Sequence, residues 1–240
     1  MCGRYSVGDR GEITIAGIYH DFTFETRYNA APKNSLPVIL FENNAVTSKP
    51  MQWGWERPNK PLLINARAET ALKFFRKPCL ETRCLIPANG FYEWKDKLPW
   101  RFVMRDDETF YLAGIYQKII SPAHAEMEMD LTDSPPASCV IEQFCIITCN
   151  ANPLVARVHD RMPVILSPSH YSTWLKGQQF SSITPGQWPR GFGNIAPTTD
   201  LVDILQSALV PSPAANMHSY RVGQLVNHWK NDSPDCWKPV

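Results

Sequence analysis

Short runs of apolar or alternating residues, punctuated by Gly, Pro, Asn and Asp, recur along nearly the whole of this chain, and few stretches are long enough for a helix of several turns. Short helices are marginal because each must nucleate anew, whereas short runs can satisfy their backbone groups by pairing side by side. Leu36–Phe41 and Ala45–Thr47 flank Glu42-Asn43-Asn44, whose asparagines suit a tight hairpin turn. Met51–Trp55, Cys84–Ile86, Gly90–Trp94, Trp100–Met104, Phe110–Tyr116, Gln143–Thr148 and Pro163–Leu166 continue the strand pattern, with a last strand near Val222–Val226. Helical pattern is sparser. Ala68–Phe75 has Glu69 near its start and Pro78 as its stop; Asn150–Val155 and Pro168–Leu175 are shorter, the second with Ser167 as N-cap. Hairpin-linked strands with few helices predict an α+β domain on mainly antiparallel sheet.

The 240 residues suffice for one domain, 1–240, with a substantial core. A net charge of +1 gives no general basic field, so an anionic partner must be gripped by a local patch. No signal-peptide core opens the chain, and charged residues interrupt every apolar run, so no membrane span is expected. Seven cysteines, none in a CxxC pair, read as reduced thiols of a cytoplasmic protein rather than metal ligands, apart from the question raised by Cys2. Residues 121–142 hold Glu126, Glu128, Asp130, Asp133 and Glu142 without Lys or Arg, and read as an exposed acidic loop turned away from any anion.

Cys2 is the unusual residue. Initiator methionine is normally removed ahead of a small residue, which leaves cysteine with a free α-amine beside its thiol. The amine titrates at about 7.7–8.0 in the unperturbed case and the thiol at about 8.5, so both are usable nucleophiles near neutrality. Together they can close a five-membered thiazolidine on an aldehyde, or attack an amide. Taken alone, Cys2 is equally a small residue that permits methionine removal.

Three further segments set polar residues among apolar ones. Asn65 and Arg67 flank Ala66 where a strand-like end runs into a helix start, a place that suits an anion but equally a surface cap. Glu93 lies between large aromatics; it is either an outward strand residue or a carboxylate in an apolar pocket, with a raised pKa fit for proton transfer. His159 precedes the apolar Met162–Leu166 run, where loops carry catalytic groups, although a lone histidine is often structural.

The ordered set of Cys2-Gly3-Arg4, Arg27-Tyr28-Asn29-Ala30-Ala31-Pro32, Trp53-Gly54, Asn65-Ala66-Arg67-Ala68-Glu69-Thr70, Pro87-Ala88-Asn89-Gly90-Phe91-Tyr92-Glu93-Trp94, His159-Asp160-Arg161-Met162-Pro163 and Gly223-Gln224-Leu225-Val226-Asn227 resembles the signatures of the SRAP family. That family is named for SOS-response-associated peptidases and includes abasic-site-binding proteins. The resemblance spans nearly the whole chain. It implies a single SRAP domain, α+β, on mainly antiparallel, barrel-like sheet with a few short helices. It also implies a covalent thiazolidine between Cys2 and an abasic site in single-stranded DNA, formed after Met1 removal without metal or organic cofactor.

By the same resemblance Glu93 and His159 serve as acid and base, and Asn65 holds the Cys2 backbone or amine. Arg67 and Arg161 bind phosphate, and Arg4 adds to this. Trp53, Trp55, Phe91 and Tyr92 lie beside these segments and could stack on bases, with core packing as the alternative. A Schiff base at the sugar also permits weak lyase activity. A monomer, associated with the nucleoid when bound to DNA, is expected.

Other chemistries can use a leading cysteine. Glutamine amidotransferases with an N-terminal nucleophile continue with an apolar run, whereas Arg4-Tyr5 follows here. A thiol peptidase acting on proteins, or only on its own leading residues, could use Cys2, Glu93 and His159. A non-catalytic DNA-binding module with a structural Cys2 would release DNA in denaturant.

Overall fold

The computed structural model describes residues 2–120, 140–176 and 201–240. Ser35–Glu42 and Ala45–Trp53 form the hairpin expected from sequence, and Asn43 and Asn44 both take positive φ, 51° and 62°, as its two-residue turn requires. Arg83–Ala88 pairs with Ser35–Glu42 on one edge and Phe110–Ile120 on the other. Phe110–Ile120 pairs with Val140–Asn150, which returns to Ala45–Trp53 through Phe144↔Trp53. The five strands therefore close into a barrel, antiparallel throughout except at that last seam, which is parallel. Closure removes the free strand edges that an open sheet would present.

The burial of each strand follows its cover. Arg83–Ala88 is buried at every position because helix Pro168–Lys176 packs across it; Trp174 Nε1 donates to Cys84 O, and Arg83 Nε donates to Trp174 O. Phe110–Tyr116 is likewise fully buried, and alternation resumes only from Gln117.

Gly54 decides what happens at the barrel rim. Its φ of +108° suits glycine, and a Cβ there would meet Leu62 at 2.7 Å. The turn releases the chain into the hairpin Trp55–Arg57/Lys60–Leu63 and brings it back as Asn65–Arg67, which lies parallel on Val140–Asn150 with Asn65 opposite Ile146.

A second sheet runs in the order Met217–Arg221, Leu98–Met104, Gly90–Lys95, Tyr5–Val7, Arg27–Ala30. Tyr5 stands opposite Phe91 and Ser6 opposite Gly90. The segment after Arg221 covers this sheet, with Val222 and Val226 clustering on Tyr92, Trp94 and Trp237.

Four local expectations change. The Ala68–Phe75 helix forms as Ala68–Phe74, but Pro78 is not its stop: a second helix, Arg76–Glu81, follows at once, and Pro78 sits in its first turn, where its missing N–H is harmless. Asn150–Val155 is not helical: Asn150 ends a strand, Asn152 Oδ1 accepts the N–H groups of Leu154 and Val155, and a 3-10 turn follows at Val155–Arg157. Val222–Val226 follows the strand Met217–Arg221 rather than forming one, and Gln224–Asn227 is a 3-10 turn. The acidic loop expected to end at Glu142 stops sooner, because Val140–Glu142 already pair with Lys118–Ile120, and Glu142 holds Lys49 and Lys118 at 2.8 and 3.0 Å. Residues 121–139 lie outside the described residues.

Candidate active site

Cys2 lies just before Tyr5–Val7, in the chain direction that leads toward the barrel rim. The Arg4 carbonyl still accepts the Tyr92 N–H at 3.0 Å, so the antiparallel register carries on past the strand end and sets Gly3 level with Glu93. From the other side, Asn65 Nδ2 donates to Cys2 O at 2.8 Å. Cys2 thus joins the two sheets, the Asn65 arm existing because Gly54 sent the chain out and back.

Glu93 is buried at 3% exposure and has His159 Nε2 at 4.0 Å from its Oε2. His159 sits between the 3-10 turn at Val155–Arg157 and the strand Arg161–Pro163, and its own N–H is held by Val155 O. The backbone N–H of Arg161 donates to His159 Nδ1 at 2.9 Å. A neutral imidazole in that arrangement carries its proton on Nε2, the nitrogen that faces Glu93.

Burial, reinforced by the Glu93 carboxylate, pushes the Cys2 thiol well above its ordinary range. Burial, with Asp160 adding to it, pushes the Glu93 carboxyl up to about 7. Burial pulls the His159 imidazole down. Each cause is loss of solvation for the charged form, so near pH 7 the site favours a neutral thiol and a neutral imidazole beside a half-protonated carboxyl. Such a set suits proton shuttling more than a standing thiolate–imidazolium pair.

The residues expected to bind DNA fare differently. Trp53 is fully buried, donates from Nε1 to Ile64 O and meets Tyr5 edge-on at 5.1 Å. Trp55 is buried, donates to Gln143 O and packs on Phe75. Phe91 and Tyr92 are also fully buried. None of the four offers a face to a base, and the stacking role expected of Trp53 and Trp55 gives way to core packing.

Arg161 is 7% exposed, grips Glu69 through both terminal nitrogens at 2.6 and 2.9 Å, and donates further to Asn150 Oδ1 and Thr148 O. A phosphate would have to displace a bidentate carboxylate; in this arrangement Arg161 fastens the Asn65–Arg67 segment and its helix to the barrel. Arg4 donates from one nitrogen to Asn29 Oδ1 and Val226 O, both at 2.7 Å, and lies over Trp94. Asn29 Nδ2 bonds the carbonyls of Val226, His228 and Asn231, so Arg4 belongs to the clasp on the C-terminal segment.

Arg67 is exposed and forms no ion pair among the described residues. Beyond it the same segment presents Lys73, Arg76 and Lys77, all exposed, and Phe74 at 67% exposure with Lys73 Nζ over its ring. The signal was present in sequence as the run Lys73-Phe74-Phe75-Arg76-Lys77, a cationic and aromatic mixture that helix pattern alone leaves unassigned.

Among the described residues no helix is long and apolar enough to cross a membrane. The family model described as SOS response associated peptidase (SRAP) matches residues 1–229. The abasic site processing protein YoqW of Bacillus subtilis is 31% identical over 98% of this chain and 98% of its own length. The abasic site processing protein YedK of Escherichia coli is 27% identical over the full length of both. A solved structure from Bacteroides thetaiotaomicron superposes with a TM-score of 0.63 at 22% identity, covering 89% of this chain and 86% of that one, and shares the fold.

Proposed function

The chain belongs to the SOS response associated peptidase family, and on that footing we propose that it captures abasic sites in single-stranded DNA as a covalent thiazolidine on Cys2. The observation that carries this reading is the placement of Cys2, its carbonyl held by Asn65 and its neighbour Gly3 level across the strand pair with the buried Glu93, whose carboxyl burial raises to about 7.

Removal of Met1 exposes the α-amine. The amine nitrogen attacks C1′ of the ring-opened sugar aldehyde to give a carbinolamine. Protonation of its hydroxyl by Glu93 lets water leave, and the iminium remains. The Cys2 sulfur then adds to the same carbon while its proton passes to the Glu93 carboxylate. Aldehyde, amine and thiol become thiazolidine plus one water, with no change of oxidation state. The raised thiol fits this order, because the amine acts first and the sulfur is deprotonated only as it attacks. His159 lies one step behind Glu93 and exchanges its proton.

Arg67 and the Lys73–Lys77 surface supply the cationic path for the phosphates, with Phe74 as an exposed stacking face. The iminium also permits β-elimination of the 3′ phosphate, a weak lyase side reaction that the thiol outcompetes. Peptidase activity on other proteins is less well supported, since burial raises the thiol and lowers the imidazole, the reverse of an ion-paired nucleophile. Removal of its own Met1 remains compatible with the same residues.

Incubation with an abasic single-stranded oligonucleotide, followed by intact mass and a denaturing gel, tests the proposal. The wild type should lose Met1 and gain the mass of the DNA less one water. Cys2→Ala keeps an amine but lacks the thiol, so it should give no stable adduct and more strand cleavage. A denaturant-proof adduct with Cys2→Ala would sink the thiazolidine.

A further inference from the structure

A DNA strand leaves a captured sugar in two directions, so a grip on one flank leaves the other free to swing. Arg67 and the Lys73–Lys77 surface lie on one flank of Cys2. Arg67 stands opposite Thr148 on one edge of the strand Val140–Asn150, and Arg161–Pro163 pairs with its other edge, Arg161 opposite Asn150. The turn that leads into Arg161–Pro163 holds Arg157 and His159.

Contacts step across the site from the first flank to the second. Asn65 Nδ2 reaches Cys2 O at 2.8 Å, Gly3 is level with Glu93, and Glu93 Oε2 lies 4.0 Å from His159 Nε2. Beyond that pair, Lys95 Nζ donates to Arg157 O at 2.8 Å. Lys95 is two residues past Glu93 in the same strand, hence on the same face, and is the last strand residue before the Asp96-Lys97 turn. Its bond to the Arg157 carbonyl ties strand to turn and sets two cationic residues side by side.

Both are exposed, and neither forms an ion pair among the described residues. Asp160, in the same turn, lies 3.0 Å from His159 Nδ1 instead. The Lys95 ammonium spends one of its three donors on Arg157 O, and the Arg157 guanidinium offers a planar fork that matches two phosphate oxygens.

We infer that Lys95 and Arg157 grip backbone phosphate on the flank of the abasic site opposite Arg67, so that the strand is clamped on both sides of the sugar. This clamp rests on the capture reading proposed above. It reads no base, and it meets phosphate charge locally in a protein whose net charge is only +1. Neither residue touches a reacting atom.

The test uses two abasic oligonucleotides, one with DNA only 5′ of the abasic sugar and one with DNA only 3′ of it. Capture rate against DNA concentration is measured for wild type, Arg67→Gln, Arg157→Gln and the double variant Lys95→Gln/Arg157→Gln. Arg157→Gln keeps the carbonyl that Lys95 holds, so it tests the grip without loosening the turn. It should raise the half-saturating concentration severalfold for one of the two oligonucleotides, and the double variant by roughly tenfold. Each should leave the other oligonucleotide as in wild type, and Arg67→Gln should weaken that other one. The rate at saturating DNA should hold. On an intact single strand the double variant should lower the slope of log K on log salt by about 1.4, which is about 0.7 per cation. Half-saturation equal to wild type on both oligonucleotides would overturn the clamp. So would equal losses on both, or losses on the one that Arg67→Gln weakens. A lower saturating rate with half-saturation unchanged would also overturn it, leaving Lys95 as a prop for the His159 turn. A wild type that forms no adduct with an abasic strand flanked on both sides would instead remove the capture reading, and the clamp with it.

Discussion

Glu93 shows how burial makes a side chain both useful and expensive. At 3% exposure its carboxyl titrates at about 7 instead of its ordinary 4.5, so either proton form is available at physiological pH. The folded state holds the proton to higher pH than the unfolded chain does. Stability is therefore fully present below about pH 4.5 and is lost as pH rises through about 7. The shift corresponds to roughly 3 kcal/mol at pH 8 and above. Glu93→Gln removes that penalty, so urea unfolding should find the variant more stable than wild type at pH 8 by up to this amount, and unchanged at pH 4. Its capture rate should fall on the order of 100-fold. Equal stabilities at both pH values would show that the carboxyl is solvated. The chemistry of Cys2, Glu93 and His159 was legible because an amine–thiol pair, a carboxyl among aromatics and a histidine before a buried run each constrain a short window. What the windows left open was whether Glu93 pointed in or out, and the register of Tyr5–Val7 on Gly90–Lys95 decides that.

At the scale of elements, the segment from Asn65 to Glu81 does two jobs. Arg161 fastens it to the barrel through Glu69, and its exposed residues include Arg67, Lys73, Phe74, Arg76 and Lys77. Sequence pattern placed both ends of the first helix to within a residue but missed the second, because proline breaks a helix interior yet suits a first turn, and Pro78 lies in the first turn of a new helix. The same bias directed attention to motif arginines for phosphate binding: a bidentate partner 92 residues away, Glu69 for Arg161, is invisible along the chain. If the exposed strip carries the DNA, replacing Lys73, Arg76 and Lys77 by Ala should weaken binding of an intact single strand and flatten the salt dependence, with the slope of log K on log salt falling by about 2. Capture at saturating abasic DNA should change little. A slope equal to wild type would place the strand elsewhere on the surface.

Across the whole molecule, strand content was readable but closure was not. The parallel seam joins Gln52 and Trp53 to Gln143 and Phe144, partners about 90 residues apart whose pairing no local pattern announces. That seam also explains why Trp53 was misjudged. Tryptophan beside a motif serves equally as a base-stacking surface or a core plug, and only the closed barrel shows which. Trp53 is enclosed, stacked on Phe144 at 6.3 Å, edge-on to Tyr5 and hydrogen-bonded to Ile64 O. Trp53→Ala should therefore cost about 3–5 kcal/mol in urea unfolding, from the cavity and the carbonyl left without its donor. Because Tyr5 and Ile64 adjoin the segments that carry Cys2 and Asn65, capture should slow as well, while noncovalent affinity for an intact strand, measured well below the melting temperature, should hold. A base-stacking tryptophan predicts the opposite pattern: stability kept, and affinity down by about 1–3 kcal/mol. The two measurements on one variant separate a plug at the barrel seam from a platform on its surface.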